Sequence, residues 1–287
     1  MDPKPAKPTE IAQTDARLKI YFLPNLLTGG NLVCGFVALT KIVEADLSTG
    51  DYRDIKLALF FILLACIFDL LDGRVARMGG SESPFGREFD SLADVVSFGA
   101  APAFLVHRIV LKDVFITHPE FGWVIASIYL ICGAFRLARF NCLAATAGSG
   151  GGKEFLGFPI PAAAGLVASL TLFMIWWDDR DFPRGTLKYI LPFIMLFLSW
   201  MMVSEVRYPT FKKLDLKATR TFTKTLVGIL VIASIVILRE KILVFLLPLF
   251  FTSYLLYGFI RPRISRRIRQ EIEDEDGDED GEENSAV

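Results

Sequence analysis

Four aspartates within one 26-residue window are the residues of this sequence best placed to do chemistry. They are Asp69, Asp72, Asp90 and Asp94, in the segment DLLDGRVARMGGSESPFGREFDSLAD, and long apolar segments flank that window on both sides. A carboxylate on an apolar helix is costly unless it is paired, bound to a metal or exposed to a water-filled cavity. Four together indicate a site for one or two divalent cations, which prefer oxygen ligands.

The spacing of these aspartates predicts that their side chains converge. Asp69 and Asp72 are three residues apart, so on a helix they point within about 60° of each other. Asp90 and Asp94 are four apart, which puts them within about 40° on the next helix. The connection between the two helices is short, so the end of the first meets the start of the second at the same depth.

Small residues and arginines accompany the aspartates. Small side chains let a ligand approach the backbone, and a guanidinium group is well suited to phosphate oxygens. With carboxylates and cations they describe a site for a diphosphate; a cluster of surface ion pairs at helix ends is the alternative interpretation. The small residues are Gly73, Ala76 and Gly86, and the arginines are Arg74, Arg77 and Arg87.

The elements that must position this site are membrane helices. Hydrophobic residues make up 53% of the 287 residues, and several uncharged stretches reach the roughly 20 residues that a membrane-crossing helix needs. The composition excludes an ordinary soluble domain and predicts an all-α integral membrane protein with about eight transmembrane helices. We predict them at residues 25–45, 56–77, 87–110, 121–143, 159–177, 186–204, 222–239 and 242–260.

The remaining sequence divides into three regions. Residues 1–24 form a cytoplasmic N-terminal segment, in which residues 10–22 are compatible with a short interfacial helix. Residues 25–260 form the transmembrane catalytic domain. Residues 261–287 are a basic and then acidic tail without hydrophobic periodicity, which predicts disorder. Roughly two thirds of the lysines and arginines fall on the side that holds the termini and the aspartates, so that side is expected to be cytoplasmic.

The spacing D-x2-D-G-x2-A-R-x8-G-x3-D-x3-D resembles the signature of the CDP-alcohol phosphatidyltransferase family. The resemblance covers about residues 20–260 and implies a six-helix catalytic core, often dimeric, with a metal site open to the cytoplasmic interface. Such enzymes transfer a phosphatidyl group from a CDP-linked lipid to an alcohol and release CMP. Every fixed position is present: Asp69, Asp72, Gly73, Ala76, Arg77, Gly86, Asp90 and Asp94.

The resemblance also implies roles for these residues. The first three aspartates of the signature would ligate Mg²⁺ or Mn²⁺, and Asp94 would complete the metal site and act as the general base. The residues expected to bind the CDP-lipid are Gly73, Ala76, Arg77 and Gly86, together with Thr28 and Asn31 in the opening segment PNLLTGGN.

Segments outside the signature point to the acceptor. PNLLTGGN, GAFRLARFN at 133–141, GFPIPAAA at 157–164 and VSEVRYPTFKK at 203–213 resemble the membrane-embedded branch of the family that uses serine. That branch makes phosphatidylserine and CMP from CDP-diacylglycerol and L-serine. No lysine directly follows the last aspartate, which counts against glycerol 3-phosphate as the acceptor; inositol phosphate and choline are further alternatives within the family.

Serine brings a carboxylate, which a guanidinium can hold bidentately. The candidates for serine binding are Arg136, Arg139 and Asn141, although such arginines also serve as anchors that reach the headgroups. A cation transporter is the alternative from another class, but transporters more often place their acids near the middle of the membrane. We further expect a homodimer surrounded by membrane lipids in a bacterial inner membrane, with its active site facing the cytoplasm and no nucleic-acid partner.

Overall fold

The computed structural model describes residues 22–78, 83–146, 154–180, 187–209 and 244–257. Within these ranges the chain forms seven helices and two three-residue strands. The helices are α1 Phe22–Glu44, α2 Arg53–Met78, α3 Pro84–Val114, α4 Pro119–Thr146, α5 Ile160–Asp178, α6 Leu187–Val203 and α7 Val244–Tyr257; the strands are β1 Glu154–Leu156 and β2 Arg207–Pro209.

The prediction of an all-α integral membrane protein is confirmed. Among the described residues, α1, α3, the Pro119–Leu143 part of α4 and α5 are long and apolar enough to cross a membrane, and α6 and α7 are shorter apolar helices. The predicted helix at 222–239 lies outside the described residues, as do the interfacial helix and the tail.

Helices α1 and α2 form an antiparallel hairpin. The Asp46 side chain accepts a hydrogen bond from the Ser48 backbone N–H at the start of a 3₁₀ turn, Leu47–Thr49, and Gly50 ends the turn with a φ of 70°. Buried alanines such as Ala38 on α1 and Ala58 on α2 belong to the same core cluster. The hairpin therefore brings the start of α1 and the end of α2 to one side of the molecule.

Helix α3 begins with a cap and contains two π-helical segments. The Ser83 hydroxyl oxygen accepts a hydrogen bond from the Gly86 N–H at 3.0 Å, and Pro84 occupies the first turn. The π segments are Val95–Ala100 and His107–Leu111. Such segments are often found at functional sites, and the first one starts directly after the last aspartate of the signature.

A short ribbon joins the connection before α5 to the end of α6. Strands β1 and β2 pair antiparallel, with Phe155 opposite Tyr208. The Gly157 N–H then donates to the Val206 carbonyl oxygen at 2.9 Å. Gly157 has a φ of 79°, and a Cβ there would lie 2.3 Å from the Met202 carbonyl oxygen, so only glycine fits this position.

Candidate active site

Three of the four aspartates converge on one point. Asp69 and Asp72 come from α2 and Asp90 from α3, and each offers a carboxylate oxygen within 4.8 Å of those of the other two. The Asp90 Oδ1 atom is buried and has no hydrogen-bond partner among the described residues. A buried carboxylate oxygen without a donor is costly, and a hard divalent cation would supply what it lacks. The three residues therefore fit such an ion.

Asp94 lies one helical turn beyond Asp90 and beside this group. Its side chain is buried, and its Oδ1 accepts a hydrogen bond from the Asn31 Nδ2 at 3.0 Å. It interacts electrostatically with the other three aspartates, although it does not belong to the tight group. The sequence predicts that all four carboxylates converge. In the structure three of them form a tight group, and Asp94 lies adjacent to it.

Helix α1 supplies two polar partners to the carboxylates. The Thr28 Oγ1 lies 3.0 Å from the Asp72 Oδ2 and 3.2 Å from the Pro24 carbonyl oxygen, so its single proton serves one acceptor at a time. Asn31 is fully buried, and no described residue donates a hydrogen bond to its Oδ1. The resemblance placed both residues at the nucleotide; the structure places both on the aspartates, and their contact with a nucleotide stays a prediction.

A close contact between α1 and α3 fixes this arrangement. The Ser97 hydroxyl donates to the Asn31 carbonyl oxygen at 2.9 Å. A Cβ at Gly35 would lie 2.2 Å from the Ser97 Oγ and 2.7 Å from its Cα, so the two backbones meet closely only because residue 35 is glycine. Sequence reasoning missed Gly35 and Ser97, and their small size was the one signal available.

The other residues predicted to bind the CDP-lipid lie on the same two helices as the aspartates. Gly73 and Ala76 are half-buried on α2. A Cβ at Gly86 would lie 3.2 Å from the Ser83 Oγ and 3.3 Å from the Asn25 Oδ1, which leaves little room for a larger residue. Arg77 belongs to α2, but its side chain lies outside the described part of the chain.

Of the three residues predicted to bind serine, Arg136 is directed at the acidic site. It is 8% exposed, and its guanidinium lies within electrostatic range of Asp94 and Asp69. Within the part of the chain that the structure describes, its buried Nε has no hydrogen-bond partner. A buried cation with an unused donor, near the Asp94 carboxylate, is suited to an anionic group of a small substrate.

The other two predicted serine ligands make contacts within the protein. The Arg139 Nη1 and Nη2 atoms donate to the carbonyl oxygens of Val203 and Ser204, each at 3.0 Å. The Asn141 Nδ2 donates to the Ser91 Oγ at 2.9 Å. Arg139 thus holds the end of α6, and Asn141 joins α4 to the start of α3.

Comparison with known proteins identifies the family. Residues 21–204 match the family model described as CDP-alcohol phosphatidyltransferase. A CDP-diacylglycerol–serine O-phosphatidyltransferase of Helicobacter pylori is 36% identical over 244 residues, which cover 84% of this chain and 91% of the relative. One of Bacillus subtilis is 33% identical over 67% of this chain and 92% of its own. An archaetidylserine synthase of Methanothermobacter thermautotrophicus is 34% identical over 65% of this chain and 69% of its own.

Proposed function

The chain belongs to the CDP-alcohol phosphatidyltransferase family, and on that premise we propose that it makes phosphatidylserine. It transfers the phosphatidyl group of CDP-diacylglycerol to the hydroxyl of L-serine and releases CMP, the reaction for which relatives at 33–36% identity are named. The observation that carries the proposal is the acidic group of Asp69, Asp72 and Asp90 with Asp94 and Arg136 beside it.

The three converging aspartates are proposed to hold the divalent cation. The unpartnered Oδ1 of Asp90 supports this assignment, and Mg²⁺ and Mn²⁺ both suit carboxylate oxygens. When bound, the cation neutralises the diphosphate and stabilises the charge that develops on the leaving CMP. Thr28 contributes by holding the Asp72 carboxylate in place.

Asp94 is proposed as the general base. The serine hydroxyl oxygen attacks the phosphorus of the phosphatidyl group, the bond from that phosphorus to the CMP oxygen breaks, and the proton of the hydroxyl passes to Asp94. The hydrogen bond from Asn31 occupies Oδ1 and fixes the orientation of the carboxylate, which leaves Oδ2 as the oxygen that accepts the proton. Gly73, Ala76, Arg77 and Gly86 are proposed to contact the CDP moiety.

Arg136 is proposed to bind the serine carboxylate. It is buried, it carries a donor without a partner, and it lies beside the proposed base. Arg139 and Asn141 support the pocket indirectly, because their donors are engaged with α6 and α3. Their direct contact with serine is the weaker part of the sequence prediction.

The finer setting of the enzyme is also a proposal. The distribution of lysine and arginine supports a site that faces the cytoplasm, and the bacterial relatives support the inner membrane as its location. Residues 25–260 act as the catalytic domain. Exposed apolar side chains on α1 and α4, such as Phe36 and Phe135, are available to membrane lipids or to the second copy of a homodimer.

The test is CMP release by purified protein in mixed micelles of CDP-diacylglycerol. L-serine, glycerol 3-phosphate, inositol phosphate and choline are supplied separately, with Mg²⁺ or Mn²⁺ and with a chelator as the control. We expect release with serine and metal only. Metal-dependent release with another alcohol instead would keep the family and overturn serine as the acceptor.

A further inference from the structure

Helix α7 lies beyond the segment that matches the family model, yet one of its residues lies within electrostatic range of Arg136. The match ends at residue 204, and α7 spans Val244–Tyr257. That residue, Tyr254, is half-buried and packs against the hydrophobic core. The family signature therefore does not account for this residue.

Two contacts join α7 to α5 and to the segment that precedes α5. A Cβ at Gly165 on α5 would lie 2.2 Å from the Phe251 ring, so this ring fills the space that glycine leaves. One turn later the Tyr254 ring lies 5.8 Å from the Phe158 ring, centroid to centroid. Phe158 is fully buried, and its N–H donates to the Met201 carbonyl oxygen at 3.1 Å. Tyr254 is therefore held by a rigid neighbour.

The same neighbour connects Tyr254 to α4. Gly157 precedes Phe158, and a Cβ at Gly157 would lie 3.3 Å from the Arg139 Nη2. Arg136 is one helical turn before Arg139 on α4. Consistent with these neighbouring contacts, the Arg136 guanidinium lies within electrostatic range of the Tyr254 hydroxyl. Arg136 is thus within electrostatic range of both Asp94 and the Tyr254 phenol.

We propose that Tyr254 is a specificity-determining residue of the acceptor pocket, where it orients Arg136 and donates its hydroxyl to the carboxylate of the acceptor. This inference rests on the proposed function, because it assigns a partner to the serine carboxylate. A tyrosine hydroxyl both accepts and donates a hydrogen bond. It can therefore accept from the guanidinium and donate to the substrate at once.

The experiment compares Tyr254→Phe with the wild-type protein in the CMP-release assay. The substitution removes the hydroxyl and keeps the ring that packs on Phe158. Because the lost hydrogen bond is to a charged group, the KM for L-serine should rise about tenfold or more. The KM for CDP-diacylglycerol should stay unchanged, which also shows that the variant is folded. Tyr257→Phe is the matched control, since Tyr257 is exposed on the same helix.

An acceptor without a carboxylate separates this role from a structural one. Ethanolamine should react equally poorly with wild type and Tyr254→Phe, so the preference for serine over ethanolamine should shrink in the variant. Double substitution of Arg136→Ala and Tyr254→Phe should raise the serine KM by less than the product of the two single effects, because the residues act as a unit.

Two results would overturn the inference: an unchanged serine KM in Tyr254→Phe, or effects of the two substitutions that simply multiply. These failures differ from failure of the proposed function. If wild-type protein releases no CMP with serine, serine is not the acceptor. If the wild type uses serine and Tyr254→Phe does so equally well, only the role of Tyr254 is wrong.

Discussion

Acidic side chains near the two ends of the α1–α2 hairpin differ in the partners that the protein gives them. At the end that holds the turn, the Lys56 Nζ lies 2.8 Å from the Asp179 Oδ2, and the Tyr52 hydroxyl donates to the Asp178 Oδ2 at 2.7 Å. At the other end, the Asp94 carboxylate accepts a hydrogen bond from the neutral side-chain amide of Asn31. The turn end thus pairs its acids with a cation and a hydroxyl of the protein itself, whereas at the site end the buried Asp90 Oδ1 has no donor among the described residues.

Asp46 in the turn illustrates the first case. Hydrogen bonds from the Ser48 hydroxyl and backbone N–H lower the pKa of its carboxyl group, and nearby Arg108 adds to that effect. Asp90 illustrates the second, with a buried oxygen that no donor of residues 22–78, 83–146, 154–180, 187–209 or 244–257 is seen to reach. The carboxylates at the site end are therefore suited to a ligand that completes their coordination, whereas those at the turn end find their partners within the protein.

The largest effect on activity is expected from substitution of Asp94. Asp94→Asn keeps the size of the side chain and removes the base, so kcat should fall by about 10²- to 10⁴-fold. CMP release at saturating serine measures this loss. Asp179→Asn, the same change at the turn end, should keep activity within about twofold because it disrupts only an exposed ion pair. Nearly full activity of Asp94→Asn would refute its role as the base.

Asp90→Asn tests whether the site end needs a cation. The variant offers a neutral oxygen in place of a carboxylate, so the metal concentration for half-maximal activity should rise by about tenfold or more. Protein is stripped with a chelator and titrated with Mg²⁺ and, separately, Mn²⁺, with CMP release as the readout. A titration curve that coincides with that of the wild type would argue against Asp90 as a ligand.

Separate substitutions of Arg136 and Arg139 on α4 distinguish a residue that contacts the substrate from one that stabilises the fold. Arg136→Ala should raise the KM for serine about tenfold or more with little change in the KM for the lipid donor, because a charge-assisted contact is lost. Arg139→Ala should instead lower the melting temperature, since it frees the carbonyl groups of Val203 and Ser204. Equal effects of both variants on the serine KM would contradict this division.

Gly35→Ala tests the packing that aligns the site end. The added methyl group would collide with Ser97, including its backbone, so overpacking should cost about 1–3 kcal/mol and should also lower kcat by displacing Asn31 from Asp94. Thermal unfolding in detergent and CMP release measure the two effects. Gly29→Ala is the control on the same helix, where a Cβ meets nothing within 4 Å; an equal loss in that variant would rule out the steric explanation.

The smallest effect is expected at the turn end. The pair of Lys56 and Asp179 is largely exposed, with side-chain exposures of 48% and 41%. Lys56→Ala should therefore lower stability by no more than about 1 kcal/mol and leave catalysis unchanged. Thermal unfolding and serine-dependent CMP release check both statements. A large loss of activity would show that the two ends are coupled.

Sequence reasoning identified the helices well because their signal is local. The helix predicted at 25–45 is observed at Phe22–Glu44, and the one predicted at 159–177 is observed at Ile160–Asp178. Apolar length and breakers such as Pro159 suffice for such predictions. The π segment Val95–Ala100 was not predicted, because apolar periodicity does not distinguish one extra residue per turn.

The roles of polar side chains were harder to predict. Arg136 and Arg139 are equivalent in the sequence, each an arginine in the same apolar helix, but only Arg136 faces the aspartates. Thr28 and Asn31 were assigned to the nucleotide by resemblance, and the structure shows them hydrogen-bonded to Asp72 and Asp94. Such contacts join residues far apart in the chain, so spacing carries no information about them.

The sequence by itself determined that this chain crosses a membrane and carries an acidic diphosphate-type site, because both depend on composition and on spacing within two neighbouring helices. The tertiary structure alone decided which polar groups meet there. It separated Asp94 from the tight group of three, brought Asn31 to it through the Gly35–Ser97 contact, and placed Tyr254 beside Arg136. The physical reason is that these encounters are set by helix packing, which depends on the shapes of several distant segments at once.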